Sequence, residues 1–111
     1  MKTIWSETID SILCVGVPLE NIGVFNWALT KSQALKSLNK FLDLQICLLG
    51  GDVYENNNGV IRANYDNWYC DQLQGEEKNA YIKRSIEKAK DFIEGYKSKN
   101  MNIVLFALVL R

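Results

Sequence analysis

Histidine is absent from all 111 residues, and this gap excludes more chemistry than any residue present supplies. Without an imidazole, neither a Ser/His/Asp nor a Cys/His arrangement can take the proton from its nucleophile. His-based zinc sites and the usual near-neutral proton shuttle are closed as well. Cysteine is scarce and unpatterned: Cys14, Cys47 and Cys70 are odd in number, widely spaced and include no C-x-x-C pair. A disulfide framework favours even counts in a secreted chain, and structural zinc wants four ligands. Cys47, inside the apolar run 44–49, reads as a small buried hydrophobe. No metal and no cofactor is expected.

An excess of one charge is also missing, since 13 Lys and Arg balance 13 Asp and Glu. Nucleic-acid binders draw most of their affinity from phosphate neutralisation and carry a basic surplus, so no nucleic-acid partner is expected. Long apolar runs are lacking too. Residues 103–110 are apolar but fall far short of the roughly 20 that a membrane helix needs. The amino terminus after Lys2 reads Thr-Ile-Trp-Ser-Glu-Thr-Ile-Asp, and Glu7 and Asp10 interrupt any signal core. A cytoplasmic, reducing location without a membrane partner is the expectation.

What is present suits one domain over residues 1–111. A hydrophobic share of 48% can fill a single core, and 23% charged residues argue against disorder. Ile4, Trp5, Ile9, Ile12 and Leu13 have helical spacing, which predicts a first helix over 3–14, ended by Gly16 and Pro18. The following connection, 19–28, carries Ile22, Val24, Phe25 and Trp27 and should pack on the body of the domain. Thr30 and Gln33 form a capping box for a second helix, with Ala34, Leu35, Leu38, Phe41 and Leu42 on one face. The run from Leu44 to Tyr54 reads as a strand ending in two glycines. Glu55-Asn-Asn-Asn-Gly59 is a turn, because Asn and Gly tolerate positive φ, and residues 44–62 form a hairpin. Residues 65–71 read as a further strand or extended arm. Apolar residues from Tyr81 to Tyr96 recur at three- and four-residue intervals and mark a third helix over 76–97. Residues 102–110 close the chain as a strand apolar on both faces, hence interior.

This order predicts an α+β fold: a mostly antiparallel sheet of three to five strands with three helices packed mainly on one face. A helix between two strands also permits one parallel pairing through a crossover.

Two stretches are candidates for function. In Gly50-Gly51-Asp52 the glycines allow a bulge or close backbone approach, with Asp52 at the rim. Asp52 can be a rigidly placed carboxylate for a partner's Lys or Arg, or for a metal; it can equally be a turn residue bonding to nearby amides. In Tyr65-Asp-Asn-Trp-Tyr69, strand alternation puts Tyr65, Asn67 and Tyr69 on one face and Asp66 and Trp68 on the other. Trp68 is preferred as core, with Tyr65 and Tyr69 outward; packing by all three aromatics is the plainer alternative. Seven acids against one base make residues 43–77 six units negative, whereas 78–111 are five units positive. An acidic sheet and loop surface would suit a basic protein partner. Two carboxylates around a cleft would suit a glycosidase-like enzyme, but a chain this short leaves little room for one.

Leu48-Leu-Gly-Gly-Asp-Val-Tyr54, then Tyr65-Asp-Asn-Trp-Tyr69 and an amphipathic helix, resembles the immunity protein 40 family of bacterial polymorphic toxin systems. Gly23-Val-Phe-Asn-Trp-Ala28 and the helix over 31–42 fit its amino-terminal half, so the resemblance spans about residues 4–110. It implies a non-catalytic, cytoplasmic antidote that binds a cognate toxin domain and blocks it. It transfers no catalytic residue. The expected partner-binding set is Asp52, Tyr54, Glu55, Tyr65, Asp66, Trp68, Tyr69 and Asp71. A regulatory adaptor or ligand-sensing module is the rival reading.

Overall fold

Side-chain caps set where the first two α-helices begin in the computed structural model, which describes residues 3–110. Helix α1 (Glu7–Leu13) starts at Ser6, whose hydroxyl accepts from the Ile9 amide at 3.1 Å. It is shorter than the apolar spacing predicts. The Asp10 carboxylate turns back to accept from the amides of Ile4 (2.8 Å) and Trp5 (3.0 Å), and so holds that stretch in a bend. Helix α2 (Lys31–Asp43) carries the full capping box: Gln33 N donates to Thr30 Oγ1 at 3.2 Å, and Thr30 N donates to Gln33 Oε1 at 3.0 Å. Between these helices lie strand β1 (Val17–Pro18), a 3₁₀ turn (Glu20–Ile22) and strand β2 (Trp27–Ala28).

Strands β3 (Leu48–Asn57) and β4 (Val60–Tyr69) form a hairpin closed by Asn58 at φ 53° and Gly59 at φ 91°. Two left-handed residues are what a two-residue turn between right-twisted strands requires. Gly50 and Gly51 therefore lie inside β3 and do not end it. Nor is the Tyr65–Tyr69 stretch a separate strand. It continues β4 across a bulge, where pairing shifts from Asp52↔Asn67 to Tyr54↔Ala63 and Tyr65 takes φ 69°.

Helix α3 (Lys78–Gly95) then leads to strand β5 (Ile103–Leu110). The order is β4-β3-β5, and every strand pair among the described residues is antiparallel. The permitted parallel pairing does not form, because α3 carries the chain past β4 to the open edge of β3. On its far side β5 meets Leu29, which exchanges two backbone hydrogen bonds of 2.7 Å with Phe106. Asn26 Nδ2 adds a bond to the Leu108 carbonyl at 2.9 Å. With neighbours on both edges, β5 has the interior position that its apolar faces predict.

Helices α2 and α3 cover one face of the sheet, where Leu38, Phe41, Ile86, Ile93, Val53, Trp68, Phe106 and Leu108 make the main core. Leu13 of α1 is buried in the same cluster. A smaller cluster of Leu19, Ala28, Tyr54, Leu105 and Ala107 lies on the opposite face, beneath the segment that holds β1 and β2. That segment packs on the body through Leu19, Trp27 and Ala28. Phe25, however, is 72% exposed, and Ile22 also faces solvent, so its apolar content is only partly buried.

Candidate functional site

The fold divides the eight expected partner-binding residues among five surroundings. On β3, Asp52 and Tyr54 point to the face away from the helices, whereas Val53 and Glu55 point towards them. On β4 Asn64, Asp66 and Trp68 share the helix side, as alternation predicts, because the bulge adds an even number of residues. Trp68 is only 6% exposed and stacks on Phe92 with ring centroids 4.7 Å apart, so it serves the core. Tyr54, at 5%, lies in the small cluster on the other face. Neither ring is presented to a partner in this structure.

Glu55 and Asp66 belong to a polar network at the carboxy-terminal end of α3. Tyr96 Oη donates to Asp66 Oδ2 at 2.6 Å and accepts from Asn64 Nδ2 at 2.8 Å. Asn64 also donates to Glu55 Oε2 at 3.1 Å, while Asn100 and Asn102 donate to Oε1 at 3.0 and 2.9 Å. Lys99 pairs with Asp66 at 2.9 Å. Hydrogen bonds from Asn102, Asn100 and Asn64 hold the Glu55 carboxyl below its ordinary value. Those from Tyr96 and Lys99 do the same for Asp66. Both acids are spoken for. Their partners come from 9 to 47 residues away, so no local pattern could have marked the network.

Asp71 lies in the exposed connection after β4, and its carbonyl accepts from Arg84 Nη2 at 2.6 Å. The same guanidinium grips Glu76 at 2.7 and 2.8 Å and donates to Cys70 Sγ at 3.1 Å. Glu76 is thereby held down to about 2, chiefly by Arg84 and then by the Leu73 amide. Glu76–Arg84 and Asp66–Lys99 each join the acidic segment to the basic one, so two of the expected surface acids are neutralised within the fold.

The face away from the helices keeps what is left. Asp52 sits directly across from Asn67, beside a shallow hollow of about 220 Å³. Gly50 and Gly51 line it together with Leu49, Tyr69 and Val109. The Asp52 side chain makes no hydrogen bond or ion pair among the described residues, and burial pushes its carboxyl up. The neighbouring Tyr54 hydroxyl is also raised, by burial first and then by the charge of Asp52. Tyr69 (66% exposed) and Tyr65 (86%) flank the region along β4. Among the described residues no group of three or more His, Cys, Asp or Glu side chains could hold a metal ion. No helix there is long and apolar enough to cross a membrane.

Fold and site define a small α+β protein with one helix-covered sheet face and a second face that offers a shallow polar and aromatic surface. The chain belongs to the immunity protein 40 family, whose model matches residues 18–110, from β1 to the end of β5. No curated protein and no solved structure matches it.

Proposed function

We propose that this protein is the antidote of a bacterial polymorphic toxin system, acting in the cytoplasm by binding its cognate toxin domain and blocking it, without catalysis of its own. Membership of the immunity protein 40 family carries the reading. The second sheet face supports it: a shallow hollow, an unpaired carboxylate and two exposed tyrosines suit a protein surface better than a small substrate. Tyrosine supplies large contact area at low entropic cost, which favours it at interfaces. Residues Asp52, Tyr65 and Tyr69 are the proposed contacts, with Asp71 at the margin; Tyr54 and Trp68 act by holding the strands that present them.

Co-expression tests this directly. The product of the adjacent gene, expressed alone in a bacterial host, should arrest growth; this protein should restore growth and copurify with that product. A harmless neighbour, or a toxic one that this protein neither binds nor suppresses, would sink the reading.

A further inference from the structure

Among Glu55, Asp66, Glu76 and Asp52, Asp52 is the exposed one and the exception. Glu55 holds three amide donors, Asp66 a tyrosine hydroxyl and a lysine, and Glu76 a bidentate arginine. Asp52 has none of these among the described residues, and it stands at the hollow bordered by Gly50, Gly51, Asn67 and Tyr69. An exposed carboxylate with no partner inside the fold is available to pair with a charge on another protein, whereas the other three are already engaged. Resting on the antidote reading, we infer that the hollow receives one basic side chain of the toxin, Arg or Lys, whose charged head meets Asp52 while its stem lies along Tyr69.

The chemistry of the hollow selects this occupant. An anion would face Asp52 at close range, and an apolar side chain would bury that carboxylate with nothing to bond to. A cation satisfies it, and the Asn67 side-chain oxygen and the Tyr69 ring add a second acceptor and a π face. Gly50, Gly51, Leu49, Asn67, Tyr69 and Val109 border the hollow. The surrounding charge agrees: Asp43, Asp71 and Glu77 also lack an ion-pair partner among the described residues, so the excess around the sheet stays negative.

Calorimetric titration against the purified product of the adjacent gene tests the inference. Asp52→Asn should raise Kd about tenfold or more, the usual range when one partner of a desolvated charge pair is neutralised. Its Tm should stay at or above that of the unsubstituted protein, because the removed charge has no partner in the free fold. Asn67→Arg places a guanidinium directly across the strand pair from Asp52, fills the hollow from within, and should weaken binding similarly. Lys88→Ala, on the exposed side of α3, should leave Kd unchanged. If the unsubstituted protein binds but both variants bind equally well, the hollow takes no basic side chain and the antidote reading stands without it. Tighter binding by Asp52→Asn would show an acidic or apolar occupant and overturn the inference. A dimer of the protein alone that Asp52→Asn dissociates would identify a second copy as occupant, with the same consequence. Failure of the unsubstituted protein to bind removes both claims.

Discussion

The Trp68 indole lies over Gly51 and stacks on Phe92 at an interplanar angle of 29°. A Cβ at position 51 would run into the six-membered ring of that indole, which is fixed in the core and cannot swing aside. Gly51→Ala is therefore expected to destabilise the fold by about 1–3 kcal/mol, the range for overpacking a well-filled core. Urea unfolding would measure it. Trp68→Leu removes the obstructing ring, so the double variant should cost less than the sum of the two single ones; simple additivity would show that the glycine is needed for another reason. The same contact explains what the residues did and did not reveal. A glycine pair ordinarily weakens a strand, so 50–51 reads as its end. The reason that β3 runs on through them sits 17 positions away, in a ring that no spacing rule ties to Gly51. Asp52 was open between a placed carboxylate and a turn residue bonding to nearby amides; in the structure it lies within β3, and its side chain makes no hydrogen bond among the described residues.

Elements were legible where their signals are local. The Thr30–Gln33 box and the Asn58-Gly59 turn each depend on two neighbouring side chains, and the structure forms both. The bulge at Tyr65 was hidden, because a bulge is a mismatch between two strands and either alone looks regular. It adds two residues to β4 between the pairs Asp52↔Asn67 and Tyr54↔Ala63, so Asp66 and Trp68 stay on the helix side as plain alternation predicts, while Tyr65 takes a left-handed backbone at the bulge. The connection from β4 to α3 depends likewise on a long-range partner, the Arg84 guanidinium that joins Glu76, the Asp71 carbonyl and Cys70. Glu76 is depressed in the fold to about 2 from its ordinary 4.5, so its contribution is complete above that ordinary value. It is lost as pH falls from 4.5 through 2, since the unfolded chain protonates first. Thermal melts across this window should show Tm falling with pH, and Glu76→Gln should flatten that limb while lowering Tm at neutral pH. An unchanged slope would mean that Glu55 and Asp66, also held low, carry the acid sensitivity instead.

The whole molecule is tied together from end to end. The family match begins at Pro18, yet Leu13 of α1 is fully buried in the core that contains Phe41, Ile93 and Phe106. Leu29 and Asn26 bond to the last strand across 77 and 82 positions of chain. The Cα radius of gyration is 13.8 Å, near the ~13 Å of a single domain of about 100 residues. These links join the amino-terminal segment, the sheet and the helices through shared core, so loosening one exposes the others. The proposal that residues 1–111 form one domain then has a direct test in cooperative unfolding. Trp5, Trp27 and Trp68 report from the amino-terminal bend, β2 and β4, all against the main core. Their fluorescence and the far-ultraviolet circular dichroism of the helices should give superimposable urea transitions with one midpoint. An earlier fluorescence transition, moved by Trp5→Phe, would instead show α1 detaching ahead of the sheet. The second face would then stand on a body that does not need the first 17 residues, as the bounds of the family match allow.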